Sequence, residues 1–337
     1  MKKKILRSQA LSPFFSAGFI FTMITIIPTS VSAGSANMGS SSTSDPYSAW
    51  WTGTLFSVNG HTIPAGHVVV QPYLMASKKF AQPNRIFSIH PLFAAMAGIT
   101  NGLDLQVIVH GSTTFAGNRS STQLGDSALR LAFQLLEANN TNWHPDIMFF
   151  VKETFPTGNY DSLDPNLKWT DASGTGAYAT TVSFNFQKIV LMPNQHPLRL
   201  RLNMNLQASS KAKARGASVY GTIAENAKGY AYPGENVLSI FGVEYHLTKR
   251  WVVALDLYHS YQASSRFRGN PGVRDDSRAR TSELVTPYSH TFGFAPALEY
   301  NFNVHLGIIG GCDISIFGRD QYSLASLMPT IALTIYR

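Results

Sequence analysis

The stretch "LRLRLNMNLQ", residues 198–207, decides how this chain is read. Leu198, Leu200, Leu202, Met204 and Leu206 alternate with Arg199, Arg201, Asn203, Asn205 and Gln207. A period of two sends successive side chains to opposite faces of a strand, so one face is apolar and the other polar. Two environments satisfy that pattern. In a soluble sandwich the leucines enter a core and the arginines meet water. In a transmembrane barrel the leucines meet lipid and the arginines point into a lumen.

The alternation recurs along the chain. Leu129, Leu131, Phe133 and Leu135 interleave with Arg130, Ala132 and Gln134. Val253, Leu255 and Leu257 oppose Ala254, Asp256 and Tyr258, and Phe292, Phe294, Leu298 and Tyr300 oppose Thr291, Gly293, Ala297 and Glu299. The apolar faces are bulky, whereas the opposite faces mix small residues with isolated charges of both signs. A soluble sheet gathers Lys and Glu on its wet face, so this mixture fits a crowded, polar lumen better.

Twelve strands are expected, over 68–76, 84–97, 103–115, 126–137, 146–156, 176–189, 198–209, 236–247, 251–262, 288–301, 303–316 and 327–336. The second is the weakest, because "FAAMAG" (93–98) also suits a helix. Short connections such as "GITNG", "VLMPNQHP" and "LTKR" alternate with long ones such as 210–235 and 263–287. Short turns on one side and long loops on the other are what an even-stranded membrane barrel needs; a sandwich has no reason to sort its loops. Aromatic residues group at both strand ends. Trp143, Tyr245, Trp251, Tyr300 and Tyr336 lie beside the short turns, and Phe115, Phe155, Tyr178, Tyr261 and Tyr288 lie beside the long loops. Two interfacial girdles are expected. The fold class is therefore all-β: an antiparallel up-and-down transmembrane β-barrel with a flexible N-terminal leader.

The N-terminus reads as an export signal. "MKKKILR" precedes an apolar run that ends in "VSA" at 31–33, so cleavage is expected after Ala33. That segment holds four cations and no acid, which leaves 23 cations against 19 acids, a net +4, for the remainder. Such a balance makes no case for nucleic acid. Charged residues are only 14% of the chain, against about 25% in soluble domains. Cys312 is the single cysteine, so no intrachain disulfide framework exists. Residues 34–66 are Ser/Gly-rich at first and then dense in turn residues, which suggests a periplasmic or plug-like segment ahead of a barrel at 67–337.

Catalytic and cofactor motifs are missing from the sequence. It carries no phosphate loop and no zinc-spaced His/Cys set, so neither a metal nor another cofactor is expected. "LYHSY" (257–261) brings His259 next to Ser260, but neighbouring strand residues face opposite ways and cannot pair as base and nucleophile. The candidates that remain are lumenal: Arg130, Lys152, Arg199, Arg201, Asn203, Asn205, Gln207, Asp256 and Glu299, as determinants of selectivity or as cross-lumen ion pairs. A second set, Arg266, Arg268, Arg274, Arg278 and Arg280, forms an outer-loop basic patch suited to lipopolysaccharide phosphates or to drawing in anionic solutes.

The stretches "WWTGTLFSVNGHTIPAGHVVVQPYL" (50–74), "GITNGLDLQV" (98–107), "LGDSALRLAFQLL" (124–136), "FPTGNY" (155–160) and "GTGAYATTVSFNFQK" (174–188) resemble a family of Gram-negative outer-membrane barrels described as similar to a protein of the meta-pathway of phenol degradation. The resemblance implies a barrel that passes small or aromatic molecules through the outer membrane. It also implies a folding partner, the barrel assembly machinery, which reads an aromatic C-terminus. Here Arg337 stands where that aromatic residue is expected, after Tyr336. An occluded barrel with a structural or adhesive role, and an outer-membrane lipid-modifying enzyme, are the other readings of the sequence.

Overall fold

A computed structural model describes residues 49–80, 86–138, 143–272, 282–318 and 322–337. The expected signal and its junction at Ala33 lie outside them, as do Arg274, Arg278 and Arg280. In chain order the strands are β1 (Val68–Lys79), β2 (Ile86–Thr100), β3 (Leu103–Ala116), β4 (Arg119–Leu124), β5 (Ser127–Leu136) and β6 (Asp146–Phe155). Then come β7 (Ala179–Leu191), β8 (Pro197–Ser209), β9 (Ala212–Arg215), β10 (Lys228–Tyr232), β11 (Asn236–His246) and β12 (Trp251–Gln262). The last are β13 (Ser265–Asn270), β14 (Ser282–Thr286), β15 (Ser289–Asn301), β16 (Leu306–Gly318) and β17 (Tyr322–Tyr336).

Twelve of these form one closed antiparallel ring: β1, β2, β3, β5, β6, β7, β8, β11, β12, β15, β16, β17 and back to β1. "FAAMAG" is strand, inside β2. Closure removes every free edge, which a lipid environment demands because nothing there can bond an unpaired N–H or C=O. The seam is completed by the last residue: Val68 N donates to Arg337 O at 2.8 Å and Arg337 N donates to Val68 O at 2.9 Å.

Register fixes the faces, because the side-chain period is two. Leu202 lies outward and 41% exposed, while Arg201 lies inward and 1% exposed. Outward Leu129, Leu131, Phe133, Val253, Leu257, Phe292 and Phe294 form an apolar belt. Aromatic pairs edge that belt: Trp251 with Tyr300 (4.6 Å between rings) by the short turns, and Phe155 with Tyr178 and Tyr261 with Tyr288 (6.1 Å each) by the long loops. One expected girdle member is corrected. Tyr336 points inward, 4% exposed and stacked on His67, because Ile331, Leu333 and Ile335 take the lipid side of β17.

The long loops carry structure that the alternation rule for the barrel leaves out. β9, β10, β13 and β14 pair into a separate four-stranded sheet. Ala212, Ala214, Ala231 and Phe267 bury its inner face against Leu163, Ala217, Val219 and Tyr220 from the neighbouring loops. Its other face exposes Lys213, Arg215, Lys228, Tyr230, Tyr232, Arg266 and Arg268. This cap stands over the long-loop end of the barrel.

The two faces of β8 make a testable pair. In a Cys312→Ser background, a cysteine at position 202 should react with a membrane-phase probe and be quenched by lipid-attached quenchers. A cysteine at 201 should react with neither that probe nor a water-soluble one.

Candidate functional site

The interior is occupied by residues 51–63, which enter as a wedge from the short-turn end. Residues 51–60 are all buried. The segment has no regular hydrogen-bond ladder of its own, so its backbone N–H groups need partners in the lumen. Inward polar side chains supply them from strand after strand. Glu299 of β15 accepts from Thr52 N (2.9 Å) and Gly53 N (3.2 Å). Asp256 of β12 accepts from Phe56 N (2.7 Å) and Ser57 N (3.3 Å).

Asn203 of β8 grips Val58 from both sides, accepting from its N (2.8 Å) and donating to its O (3.0 Å). Gln187 of β7 accepts from Gly60 N, and Asp146 of β6 meets His61 Nε2 at 2.8 Å. Gln134 of β5 accepts from Thr62 N (2.8 Å), and Asp104 of β3 accepts from Ile63 N (3.0 Å). Seven strands thus hold one irregular segment. Only a glycine lets the chain pass Gly98, where a Cβ would lie 2.0 Å from the carbonyl oxygen of Pro64. At Gly242 a Cβ would lie 2.1 Å from Ser57 Oγ.

The cations at the base are paired. Arg199 makes a two-pronged ion pair with Glu244, and Arg201 Nη2 reaches the same carboxylate at 3.1 Å. Arg199 also lies over the Trp51 ring at 4.2 Å, and Arg201 Nη1 donates to Ser57 O at 2.8 Å. Arg201 is lumenal but not wet, because the wedge covers it. Asn205 donates to Leu238 O on the wall, and Gln207 accepts from Thr181 Oγ1. Arg130 Nη2 meets Asp104 Oδ1 at 3.1 Å. Lys152 is 4% exposed and pairs with no carboxylate among the described residues.

Around these groups the lumen is two-sided. Val69, Tyr73, Met75, Leu92, Met96, Ile309 and Met328 make an apolar arc on β1, β2, β16 and β17, interrupted by Gln71, Asp313 and Thr334, and Leu55, Phe56 and Ile63 of the wedge pack against it. Across from it, β5 to β8 and β11 present Arg130, Lys152, Asn185, Arg199, Asn203 and Glu244. Sequence reading found the polar residues through their alternation. It assigned them to selectivity or to cross-lumen ion pairs; Arg130, Arg199 and Arg201 are ion-paired, and four of the nine (Arg201, Asn203, Asp256 and Glu299) hydrogen-bond directly to the wedge. Three further anchors, Asp104, Gln134 and Gln187, carried the same signal.

In the outer basic set, Arg266 and Arg268 are exposed on β13, and Arg268 Nε meets Glu283 Oε1 at 3.3 Å. An exposed pair of this kind contributes little to stability. Ser260 is buried in the lumen, while His259 lies outside, its Nε2 3.0 Å from Nδ1 of His290. No group of three or more His, Cys, Asp or Glu capable of holding a metal occurs among the described residues.

Each buried N–H left without its carboxylate costs about 1–3 kcal/mol. Replacing Asp256 and Glu299 together with Ala should therefore speed amide exchange in peptides covering 51–63 by roughly ten- to a hundred-fold. Exchange in β7 and β8 should change little, as read by hydrogen-exchange mass spectrometry.

No family model matches the chain, and no curated protein matches it in sequence. Solved structures do match in fold. The COG4313 outer membrane channel from Pseudomonas putida F1 superposes with a TM-score of 0.59 at 12% identity, over 83% of this chain and 98% of that one. The toluene transporter TodX from Pseudomonas putida gives 0.39 at 12% identity, over 80% and 87%. The translocator domain of the autotransporter NalP from Neisseria meningitidis gives 0.41 at 10%, over 80% and 87%. The two lower scores are too loose to argue from. The first establishes a shared fold, that of a transmembrane outer-membrane barrel.

Proposed function

We propose that this chain is exported to the bacterial outer membrane and there passively admits small molecules with an apolar or aromatic body. The observation that carries this reading is the two-sided lumen. An arc of Tyr73, Met75, Leu92, Met96 and Met328 faces an arc of charged and amide side chains. A barrel built only to anchor a structure in lipid needs no such division, whereas a solute with an apolar body and a polar end can use both arcs. The wedge supports a gated form of the same function. Its anchors are hydrogen bonds to single side chains, which can be exchanged one at a time for water or solute.

A second reading, an occluded barrel with a structural or adhesive role, is favoured by one specific observation: residues 51–60 are buried in the lumen. The cap adds to it. Lys213, Arg215, Arg266 and Arg268 on its exposed face suit the phosphates of lipopolysaccharide. An interaction with the barrel assembly machinery belongs to either reading.

Purified protein in planar bilayers separates the two. The transport reading expects small, discrete conductance steps from the wild type. It expects larger and longer openings from the Asp256→Ala/Glu299→Ala variant. If both proteins stay silent while migrating as folded, heat-modifiable barrels on gels, the occluded reading holds.

A further inference from the structure

The lumenal charges do not balance evenly, and the imbalance sits in one place. On β5, β6 and β7 the inward positions carry Arg130 and Lys152, directly opposite each other in the strand register. The only inward acid of those three strands is Asp146, at the first residue of β6 and six residues from Lys152, where its Oδ1 meets His61 Nε2 (2.8 Å) and Ala138 N (2.5 Å). Glu153 faces the other way, where it accepts from Thr180 Oγ1. From β3, Asp104 meets Arg130 with one oxygen and accepts from Ile63 N with the other.

That leaves Lys152 without an ion pair or hydrogen bond among the described residues. Arg130 likewise leaves Nε and Nη1 buried and unpartnered. A third basic group joins them. His110, on β3, is buried within electrostatic reach of Lys152, and Gly125 leaves its ring room: a Cβ there would lie 1.9 Å from His110 Nε2. Burying a cation without a partner is costly, so a protein that keeps two together leaves room for an anion.

The surroundings give the anion its shape. Arg130 lies over the Phe150 ring at 5.4 Å and donates to Met96 Sδ at 3.6 Å. Phe150 packs with Met148, Ala132 and Val58 of the wedge, and Lys152 stands one inward position beyond Phe150. Met96, Ile108 and Ala128 continue into the apolar arc. Basic groups therefore sit at the edge of an apolar surface, next to the wedge.

We propose that Lys152, Arg130 and His110 form a lumenal recognition site for the carboxylate of a small acid with an apolar body. Lys152 supplies a compact point charge, and the free Arg130 nitrogens add directional donors. Arriving solute would dock beside Val58, so its charge is held while its body lies on Met96 and Phe150. This assignment rests on the transport reading and gives it a substrate class.

The test uses three ligands of nearly one shape on the full-length barrel in detergent at pH 7: cyclohexanecarboxylate, cyclohexylmethanol and cyclohexylmethylammonium. Calorimetric titration should show the carboxylate binding at least tenfold more tightly than the alcohol, and no binding of the ammonium. Lys152→Met should weaken the carboxylate tenfold or more and leave the alcohol unchanged, whereas Lys152→Arg should retain it. Equal binding of carboxylate and alcohol by the wild type overturns the site even if the methionine variant fails to fold. So does unchanged carboxylate affinity in a folded Lys152→Met barrel. Flux into vesicles is measured separately: binding without flux overturns the transport reading and leaves the site standing, and flux without preference for the acid does the reverse.

Discussion

A barrel in lipid turns its greasy side chains outward, so its interior inherits the polar ones, and buried polar groups must find partners. Much of this molecule follows from that requirement. Twelve strands satisfy one another's backbones by closing, but closure does nothing for Glu299, Asp256, Asn203, Gln187 or Asp104. Their partner is a backbone from outside the ring. The wedge has the complementary problem, an irregular chain with unpaired N–H groups, and each element relieves the other.

Ion pairing handles the cations by the same logic. Glu244 serves Arg199 and Arg201 together, and Trp51 covers the Arg199 guanidinium. These contacts tie the foot of the wedge to β8 and β11 at the short-turn end, where a chain leaving the barrel must cross the rim. Further in, Asp256 and Asn203 each make two hydrogen bonds to the wedge, and Phe56 packs against Tyr258.

The outer end is built differently. The cap sheet owes its core to alanines and one phenylalanine, Phe267, under a face of lysines, arginines and tyrosines. "KAKAR" alternates with period two, but its inward residues are alanines, which carry little of the strand signal that Val, Ile and Phe carry, and "RFRGN" offers Phe267 alone before a glycine ends the run. These strands read as loop for that reason. Tyr336 was misjudged for a related one: an aromatic at a strand end suits an interface or a lumen equally, and only its register beside Ile335 decides.

Fold class, strand number, the outward face of each strand and the side of the short turns were legible in the sequence, because period-two alternation and turn chemistry are local. Leu202 and Arg201 could be assigned opposite faces from their neighbours alone. What the inward face meets was not local. Asp256 and Phe56 lie 200 residues apart, as Glu299 and Thr52 lie 247 apart, and no short-range pattern encodes such a pairing. The sequence by itself determined a barrel with a polar interior. Only the tertiary structure decided that this interior holds the chain's own N-terminal segment, since a hydrogen bond to a side chain depends on where the backbone arrives and not on the spacing that brings it there.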